Sequence, residues 1–333
     1  MTDLVDIVIV NWNSGKQLAE CLQSIDACHG GLVASVTVVD NGSTDQSADV
    51  GCHDVPFQTI RVATNLGFAR ACNLGARQGW AKYILLLNPD ARLEAQSLAV
   101  PLRVMADEES VAVAGIRLLD EDGRAHRHCA RIPRARDFLI QALALHRIWP
   151  RRFPGFFMEE FDHLSTRDVD HVIGAFYLVR RDVWELLGGF DERFFVYLED
   201  LDFSRRVRTI GYRVRYLAEA SAFHRGGGTS RQVMGRRLSY SLGSRLLYSG
   251  KHFSWPGAAA VVLATLGVEP VLRLADQMRS GNLAGVGQVV EGYARLYASL
   301  PSLVARAIRS HRLGLLASRE SRETNAGATA ARE

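Results

Sequence analysis

Over the first 120 residues, short apolar runs alternate with amphipathic stretches. Val5–Val10, Val36–Val39, Thr59–Ala63, Tyr83–Leu87 and Val111–Ile116 are rich in β-branched residues and mostly apolar on both faces, as strands buried on both sides of a parallel sheet read. Between them, Gln17–Ile25, Phe68–Gln78 and Glu94–Ala106 carry helical periodicity; in the last, Leu98, Leu102 and Met105 recur at spacings of four and three. Strand–helix alternation predicts a doubly wound α/β sheet. From Arg124 to Arg152 the pattern breaks: eight arginines accompany a single acid, Asp137, which predicts an excursion outside the sheet. A second ordered block opens with a strand over His171–Val179. Helix Arg181–Leu187 follows, stopped by the C-cap signal Gly188-Gly189, and a closing strand lies near Tyr212–Leu217. Beyond His224 the pattern is helical, and residues 319–333 carry few large apolar groups, which predicts a frayed tail.

Ligands of open parallel sheets collect beyond the carboxyl ends of the strands. Asn11-Trp12-Asn13, Asp40-Asn41-Gly42-Ser43 and Asn88-Pro89-Asp90 stand there, after the first, second and fourth strands. Any one is explained by a turn; three on one rim point to a cleft. Asp40 either caps the following segment, together with Ser43 and Thr44, or accepts hydrogen bonds from a nucleobase or ribose. Asp90 is either a turn residue or a ligand to a divalent cation on a diphosphate, which needs only one or two protein carboxylates.

Glu199-Asp200-Leu201-Asp202 is the sharpest feature, following Phe194, Phe195 and Tyr197 and preceding Arg205, Arg206 and Arg208. Acids at a helix start and bases toward its end suit the macrodipole. Aromatic neighbours would also desolvate a carboxylate and raise its pKa toward that of a general base. His224 precedes Arg225-Gly226-Gly227-Gly228-Thr229-Ser230, where glycines allow close backbone approach to a ligand and an imidazole can complete a metal or phosphate site.

Composition narrows the class. With 333 residues, 47% hydrophobic and 23% charged, and a mean hydropathy of −0.02, the chain is neither disordered nor a polytopic membrane protein. A net charge of +4 is too small over this length to indicate nucleic acid. Lys16, Lys82 and Lys251 are the only lysines among 40 basic residues, an arginine bias that suits phosphate but also follows from codon composition. Five cysteines without a CxxC pair argue against a disulfide framework or structural zinc. MTDLVDIVIV lacks the basic start of a signal peptide. The uncharged stretch Phe253–Val268 falls short of the ~20 residues that span a bilayer, so a reducing cytoplasm is the default.

VIVNWNS, CLQSI, VVDNGSTD, NLGFARACNLG, YILLLNPD, GAFYLVRRDVW, GGFDERFFVYLEDLDFSRRV and FHRGGGTS occur in the order seen in family 2 inverting glycosyltransferases. The chain resembles most the bacterial branch of rhamnosyltransferases of cell-wall and polysaccharide assembly, over Val5–Ser230. The resemblance implies an α/β fold of GT-A type at residues 1–230, on a doubly wound, mixed but mainly parallel, Rossmann-like sheet, with a nucleotide-sugar half (1–120) and an acceptor half (121–230). A helical, membrane- or oligomer-associated region (231–318) and a flexible tail (319–333) would follow. It also implies a nucleotide-diphospho-sugar donor. Asn11, Asn13 and Asp40 would contact the donor, Asp40 at the base, and Asn65, Gly67, Arg70 and Asn73 would line the nucleotide side. Asn88 and Asp90 match the DxD-like element, with Asp90 and His224 holding Mg2+ or Mn2+. Asp200 matches the catalytic base, and Glu199 the residue that orients sugar or acceptor. Asn88 departs from a strict DxD, which leaves one carboxylate for the metal.

The same resemblance implies inverting transfer of a sugar, L-rhamnose in the bacterial branch, from dTDP-L-rhamnose to a lipid-linked or polysaccharide acceptor in cell-envelope glycan synthesis. A UDP-sugar donor (galactose, N-acetylglucosamine or galactofuranose) and a non-catalytic carbohydrate-binding protein are the alternatives. A nicotinamide dehydrogenase is disfavoured, because NWNSG stands where GxGxxG would be. Gln232 opens no QxxRW, which favours single transfer over polymerisation. No acid lies between Ala220 and Val268, whereas Arg225, Arg231, Arg236, Arg237, Arg245 and Lys251 do. With Phe253 and Trp255 these predict peripheral contact through residues 225–255 with the inner face of the cytoplasmic membrane. A homo-oligomer stays open.

Overall fold

The computed structural model describes the backbone of residues 4–226 and 233–330, with side chains as far as residue 306. Gly227–Ser230, Arg231 and Gln232 therefore lie outside the described residues, and the tail at 319–333 outside the described side chains. The strands are β1 (Val5–Asn11), β2 (Val33–Asp40), β3 (Phe57–Arg61), β4 (Tyr83–Leu87), β5 (Ala91–Leu93), β6 (Val111–Leu119), β7 (Cys129–Ala130), β8 (Arg167–Val169), β9 (His171–Val172), β10 (Phe176–Arg180) and β11 (Arg213–His224). The helices are α1 (Gln17–Cys28), α2 (Phe68–Ala76), α3 (Ala99–Asp107), α4 (Ala135–Ala142), α5 (Leu145–Ile148), α6 (Arg181–Leu186), α7 (Glu199–Thr209), α8 (Met234–His252), α9 (Trp255–Leu263), α10 (Glu269–Arg279) and α11 (Leu283–Ala330). The chain forms two compact units, Met1–Pro133 with Leu145–Met234, and Arg134–Ala144 with Gly235–Glu333.

In the first unit the sheet runs β3-β2-β1-β4-β10-β6-β11-β5, with β8 on β11. β3, β2, β1 and β4 are parallel, β10 is antiparallel to β4 and β6, and β11 is parallel to β6. The sheet is thus mixed and mainly parallel, as the resemblance implies. Alternate residues of each strand serve opposite layers. Ile7, Ile9, Leu85 and Leu87 pack against Leu18, Leu22 and Ile25 of α1 and Leu102 of α3. Val8, Ile84 and Leu86 meet Ala69, Cys72 and Ala76 of α2 and Phe203 of α7. Both faces are covered, which is why the strands read as apolar throughout.

Three elements differ from their predicted form. The run His171–Val179 breaks at Ile173–Ala175: β9 pairs with β7 in a separate two-stranded sheet, and β10 joins the main one. The helix expected from Glu94 starts at Ala99, because the Ser97 hydroxyl accepts the Glu94 N–H (2.7 Å) and holds a local turn that competes with helix. The closing strand continues to His224, gaining β5 as an antiparallel partner at Ala222–His224.

The amino end of β1 is held by a buried charge. Asp6 accepts the Ala81 N–H (2.6 Å), the Ser35 hydroxyl (2.6 Å) and the Arg181 guanidinium (2.8 Å). Arg181 also donates to the carbonyls of Ala81 (2.6 Å) and Ala76 (3.0 Å).

In the second unit Trp255–Arg279 runs as one helical stretch of 25 residues, π-helical over Ala264–Val268, with a mean hydropathy of 1.7. By length and composition it could cross a membrane, although the uncharged run alone is too short. The stretch extends past Glu269 because that carboxylate is neutralised: Arg245 donates to it at 2.5 Å and Arg273 at 2.7 Å. Arg245, read from sequence as membrane-facing, is therefore turned inward. Phe253 packs on Phe138 and Tyr248 (ring centroids 5.7 and 5.8 Å), whereas Trp255 is 81% exposed.

Replacing Arg181 by Met strands the Asp6 carboxylate in the core and is expected to lower stability by about 3–5 kcal/mol. Adding Asp6→Asn should recover part of that loss, which urea unfolding of the single and double variants at pH 7 would measure.

Candidate active site

Because β1, β2 and β4 are parallel, their carboxyl ends share one rim. Asn11 and Asp40 are register partners there. The Asn11 side chain is fully buried; its amide donates to Asp40 Oδ1 (3.1 Å), Ser43 Oγ (3.2 Å) and Ser47 Oγ (2.9 Å), and its carbonyl accepts the Ser14 hydroxyl. It braces the rim from beneath and has no surface left for a ligand. Asn13, at φ +49°, uses its side-chain oxygen to accept the Thr44 N–H (2.7 Å), and its own N–H donates to Ser43 Oγ (3.0 Å). Asp40 is buried, with 6% of its surface exposed.

The next loop is held through Asn41, which sequence reasoning did not single out. Its amide donates to Asn65 Oδ1 (3.1 Å) and its oxygen accepts the Leu66 N–H (2.8 Å). Gly67, at φ +86°, caps α2 where no side chain fits: a Cβ would stand 2.5 Å from the Phe195 carbonyl, the same oxygen that accepts the Phe68 N–H at 2.6 Å. Asn73 faces away from the rim loops and clamps Phe190, accepting its N–H (2.9 Å) and donating to its carbonyl (2.9 Å). Arg70 is exposed and loosely paired with Glu192 at 3.9 Å. Asn65, Gly67 and Asp40 are thus gathered at one rim, while Asn11 and Asn73 serve as internal braces.

α7 separates its three acids. Asp202 is fully buried and bound by the Arg206 guanidinium (2.8 Å), which also donates to the Leu187 and Gly189 carbonyls (2.8 Å each). Glu199 is buried too, with Oε2 lacking any hydrogen-bond partner among the described residues. Burial first, then the charges of Asp200 and Asp202, push its carboxyl well above the usual carboxylate range. The pKa rise anticipated for the acid pair is thus found at Glu199. Asp200 keeps some solvent access, with 16% of its side chain exposed. Its Oδ2 accepts the Gly174 N–H (2.8 Å) and its Oδ1 the Leu201 N–H (2.8 Å).

Gly174 owes this role to the break between β9 and β10; a glycine inside an apolar run was the available signal. His171 lies beneath, Nε2 3.8 Å from Asp200 Oδ2 and Nδ1 3.0 Å from Ser204 Oγ. Burial depresses its pKa, with Asp200 and Asp170 opposing, so the ring is neutral at pH 7. Tyr197 and Leu198 enter α7 at φ +71° and +67°, a strained conformation for such side chains.

Asn88 hands its N–H to the Ala175 carbonyl (3.0 Å). Two residues on, Asp90 Oδ1 lies 3.4 Å from His224 Nε2, both side chains more than nine-tenths buried. Neither nitrogen of His224 has a hydrogen-bond partner among the described residues, and the same holds for Nε2 of the adjacent His126, whose ring centroid is 5.9 Å from that of His224. His126 was missed in the arginine-rich excursion. An oxygen and an imidazole nitrogen side by side suit a divalent cation that takes its remaining ligands from phosphate and water. Among the described residues no three His, Cys, Asp or Glu side chains form a ready-made ligand set.

Residues 6–187 match the model of glycosyl transferase family 2. The chain is 27% identical over 269 residues to an N-acetylglucosaminyl-diphospho-decaprenol L-rhamnosyltransferase of Mycobacterium tuberculosis, covering 77% of this chain and 87% of that protein. To rhamnosyltransferase WbbL of Escherichia coli it is 26% identical over 167 residues, half of this chain and 61% of the other. The solved mannosyltransferase PcManGT of Pyrobaculum calidifontis, in complex with GDP-Man and Mn2+, aligns with a TM-score of 0.50 at 18% identity, over 93% of this chain and 86% of that one. At that identity the likeness concerns the fold alone, which is GT-A-like. With more than half of its length matched by the family model, the chain belongs to glycosyl transferase family 2 and is a glycosyltransferase.

Proposed function

We propose that the protein transfers L-rhamnose from dTDP-L-rhamnose, with inversion, to a hydroxyl of a lipid-linked or polysaccharide acceptor in cell-envelope glycan synthesis. The observation that carries the reaction type is the hold on Asp200: a partly exposed carboxylate fixed by the Gly174 and Leu201 amides at the start of α7. The donor and acceptor classes are supported by two relatives that are rhamnosyltransferases, one named for a diphospho-decaprenol substrate.

In this reading an acceptor hydroxyl gives its proton to Asp200 and attacks the anomeric carbon opposite the departing nucleoside diphosphate. A single displacement inverts the centre, so a β-linked donor yields an α-L-rhamnoside. Asp40 and Asn65 bind the nucleotide from the rim, and Asn11 and Asn13 keep that rim in place. Asp90 and His224 would hold Mg2+ or Mn2+, whose charge would offset that of the diphosphate. Arg70 can leave its loose surface pair with Glu192 for the same oxygens, since such pairs are worth little. Burial pushes the Glu199 carboxyl well above the usual carboxylate range, which favours the protonated form, a hydrogen-bond donor to sugar or acceptor that adds no negative charge beside the base.

The second unit supplies a membrane contact. Trp255, Leu263, Val271, Met278 and Leu283 are each more than 60% exposed, an apolar surface suited to a lipid interface.

Asp200→Asn is expected to cut turnover by about 10²–10⁴-fold and leave donor affinity unchanged, measured by nucleoside diphosphate release over a panel of dTDP- and UDP-sugars. Turnover near that of the unaltered protein would remove the base assignment, and preference for a UDP-sugar would remove the rhamnose assignment. For Glu199, a carboxyl whose folded pKa is raised contributes stability at low pH and loses it as pH rises through that value. Glu199→Gln should therefore melt progressively higher than the unaltered protein as pH climbs from 4.5 to 8; a pH-independent difference would contradict a protonated Glu199. Trp255→Ser should reduce co-sedimentation with vesicles containing anionic lipid, and no binding by the unaltered protein would dismiss the membrane contact.

A further inference from the structure

The Asp90–His224 couple is short of protein donors. The position two residues before Asp90 is Asn88, so a cation there meets one carboxylate and one imidazole from the motif residues. A further imidazole is brought to the same place by a different segment. The chain leaves β6, turns at Asp120–Gly123, where Gly123 N–H donates to the Asp120 carbonyl (3.0 Å), and returns so that the His126 N–H meets the Leu118 carbonyl (2.8 Å). This hairpin sets His126 against His224 at the end of β11, with a ring-centroid separation of 5.9 Å. The fit is close: a Cβ built on Gly226 would lie 3.4 Å from His126 Cε1.

Three ring nitrogens, both of His224 and Nε2 of His126, are buried with no hydrogen-bond partner among the described residues. Leaving a buried polar atom unsatisfied is costly, and polar atoms clustered in that condition beside a carboxylate are accounted for by a shared cation or water. The Asp120 carboxylate is already engaged, accepting the N–H groups of Asp122 (2.9 Å) and Arg124 (2.8 Å), and Glu121 pairs with Arg225 (3.1 Å). Neither nearby acid is needed to satisfy His126.

We infer that His126 is a third protein ligand of the divalent cation, taking the place of the carboxylate that Asn88 lacks, and that it biases the site toward Mn2+ and other imidazole-preferring metals over Mg2+. The inference rests on the proposed cation site at Asp90 and His224. Since no three such side chains stand ready as a ligand set, the inference requires the His126 ring to turn about its side-chain torsions when the cation binds. A second imidazole favours the later divalent metals, whereas Mg2+ prefers oxygen and water.

The test is Mn2+ binding by the full chain without donor, followed by electron paramagnetic resonance, with nitrogen couplings to the bound ion read by pulsed methods. Two coupled imidazole nitrogens are expected in the unaltered protein and one in His126→Ala, with Mn2+ affinity lowered on the order of 10-fold and Mg2+ affinity nearly unchanged. Thermal melting of His126→Ala and His126→Asn establishes that the variants are folded. Asn88→Asp added to His126→Ala should restore cation affinity with a shift toward Mg2+. Unchanged Mn2+ affinity and couplings in both folded His126 variants would overturn the inference while leaving the Asp90–His224 site standing. Mn2+ binding that survives Asp90→Ala, or no Mn2+ binding at all, would overturn both.

Discussion

One carboxylate bound at both oxygens by backbone amides sets the geometry of the rim. Asp200 accepts the Gly174 and Leu201 N–H groups, and Ala175, next to Gly174, accepts the N–H of Asn88. Two successive peptide units therefore link the start of α7 to the turn that carries Asp90, with no flexible side chain between them other than that of Asp200 itself. The positive φ angles of Tyr197 and Leu198 fix where α7 begins. A helix starting one residue earlier or later would swing the acid by about 100° around its axis, away from Gly174. The strain in these two residues, about 1–3 kcal/mol each in such cases, is offset by what it positions.

The charges around Asp200 are arranged so that it is the one acid of the cluster neither paired with an arginine nor fully buried. Asp202 is neutralised by Arg206, Glu199 is driven toward its protonated form by burial, and His171 is kept neutral for the same reason. In a site of low dielectric each unpaired neighbouring charge would weigh heavily on proton transfer. A cluster that reads in sequence as one block of negative charge at a helix start thus divides into a buried ion pair, a buried carboxyl whose pKa is raised, and one partly exposed carboxylate, the group proposed above as the base.

In the second unit the same rule, that a charge counts only when it is unpaired, changes how the chain reads. Glu269 interrupts the apolar run by composition, yet Arg245 and Arg273 close on it, and the helix presents its apolar side chains as though the acid were absent. Counting charges along the chain underestimates such a helix because the compensating arginine comes from α8, outside the window.

What was legible in the sequence follows the range of the interactions involved. Periodicity reports burial on one or two faces, so the strands of the parallel half and the helices that cover them were readable, though not the order of the strands. The polar clusters at the ends of β1, β2 and β4 were also readable, because parallel strands must end on one side. Pairings across long separations were not. Asn11 and Asn73 look like ligand-binding residues until their amides are found spent on Asp40 and on Phe190. Gly174 looks like an ordinary strand residue until its N–H is found on a carboxylate 26 positions away. His126 is hidden among arginines, because nothing local to the segment records that a hairpin returns it to the end of β11. A side chain's type says what it can bind; only the fold says whether that capacity is already used, and a brace and a ligand contact draw on the same residues.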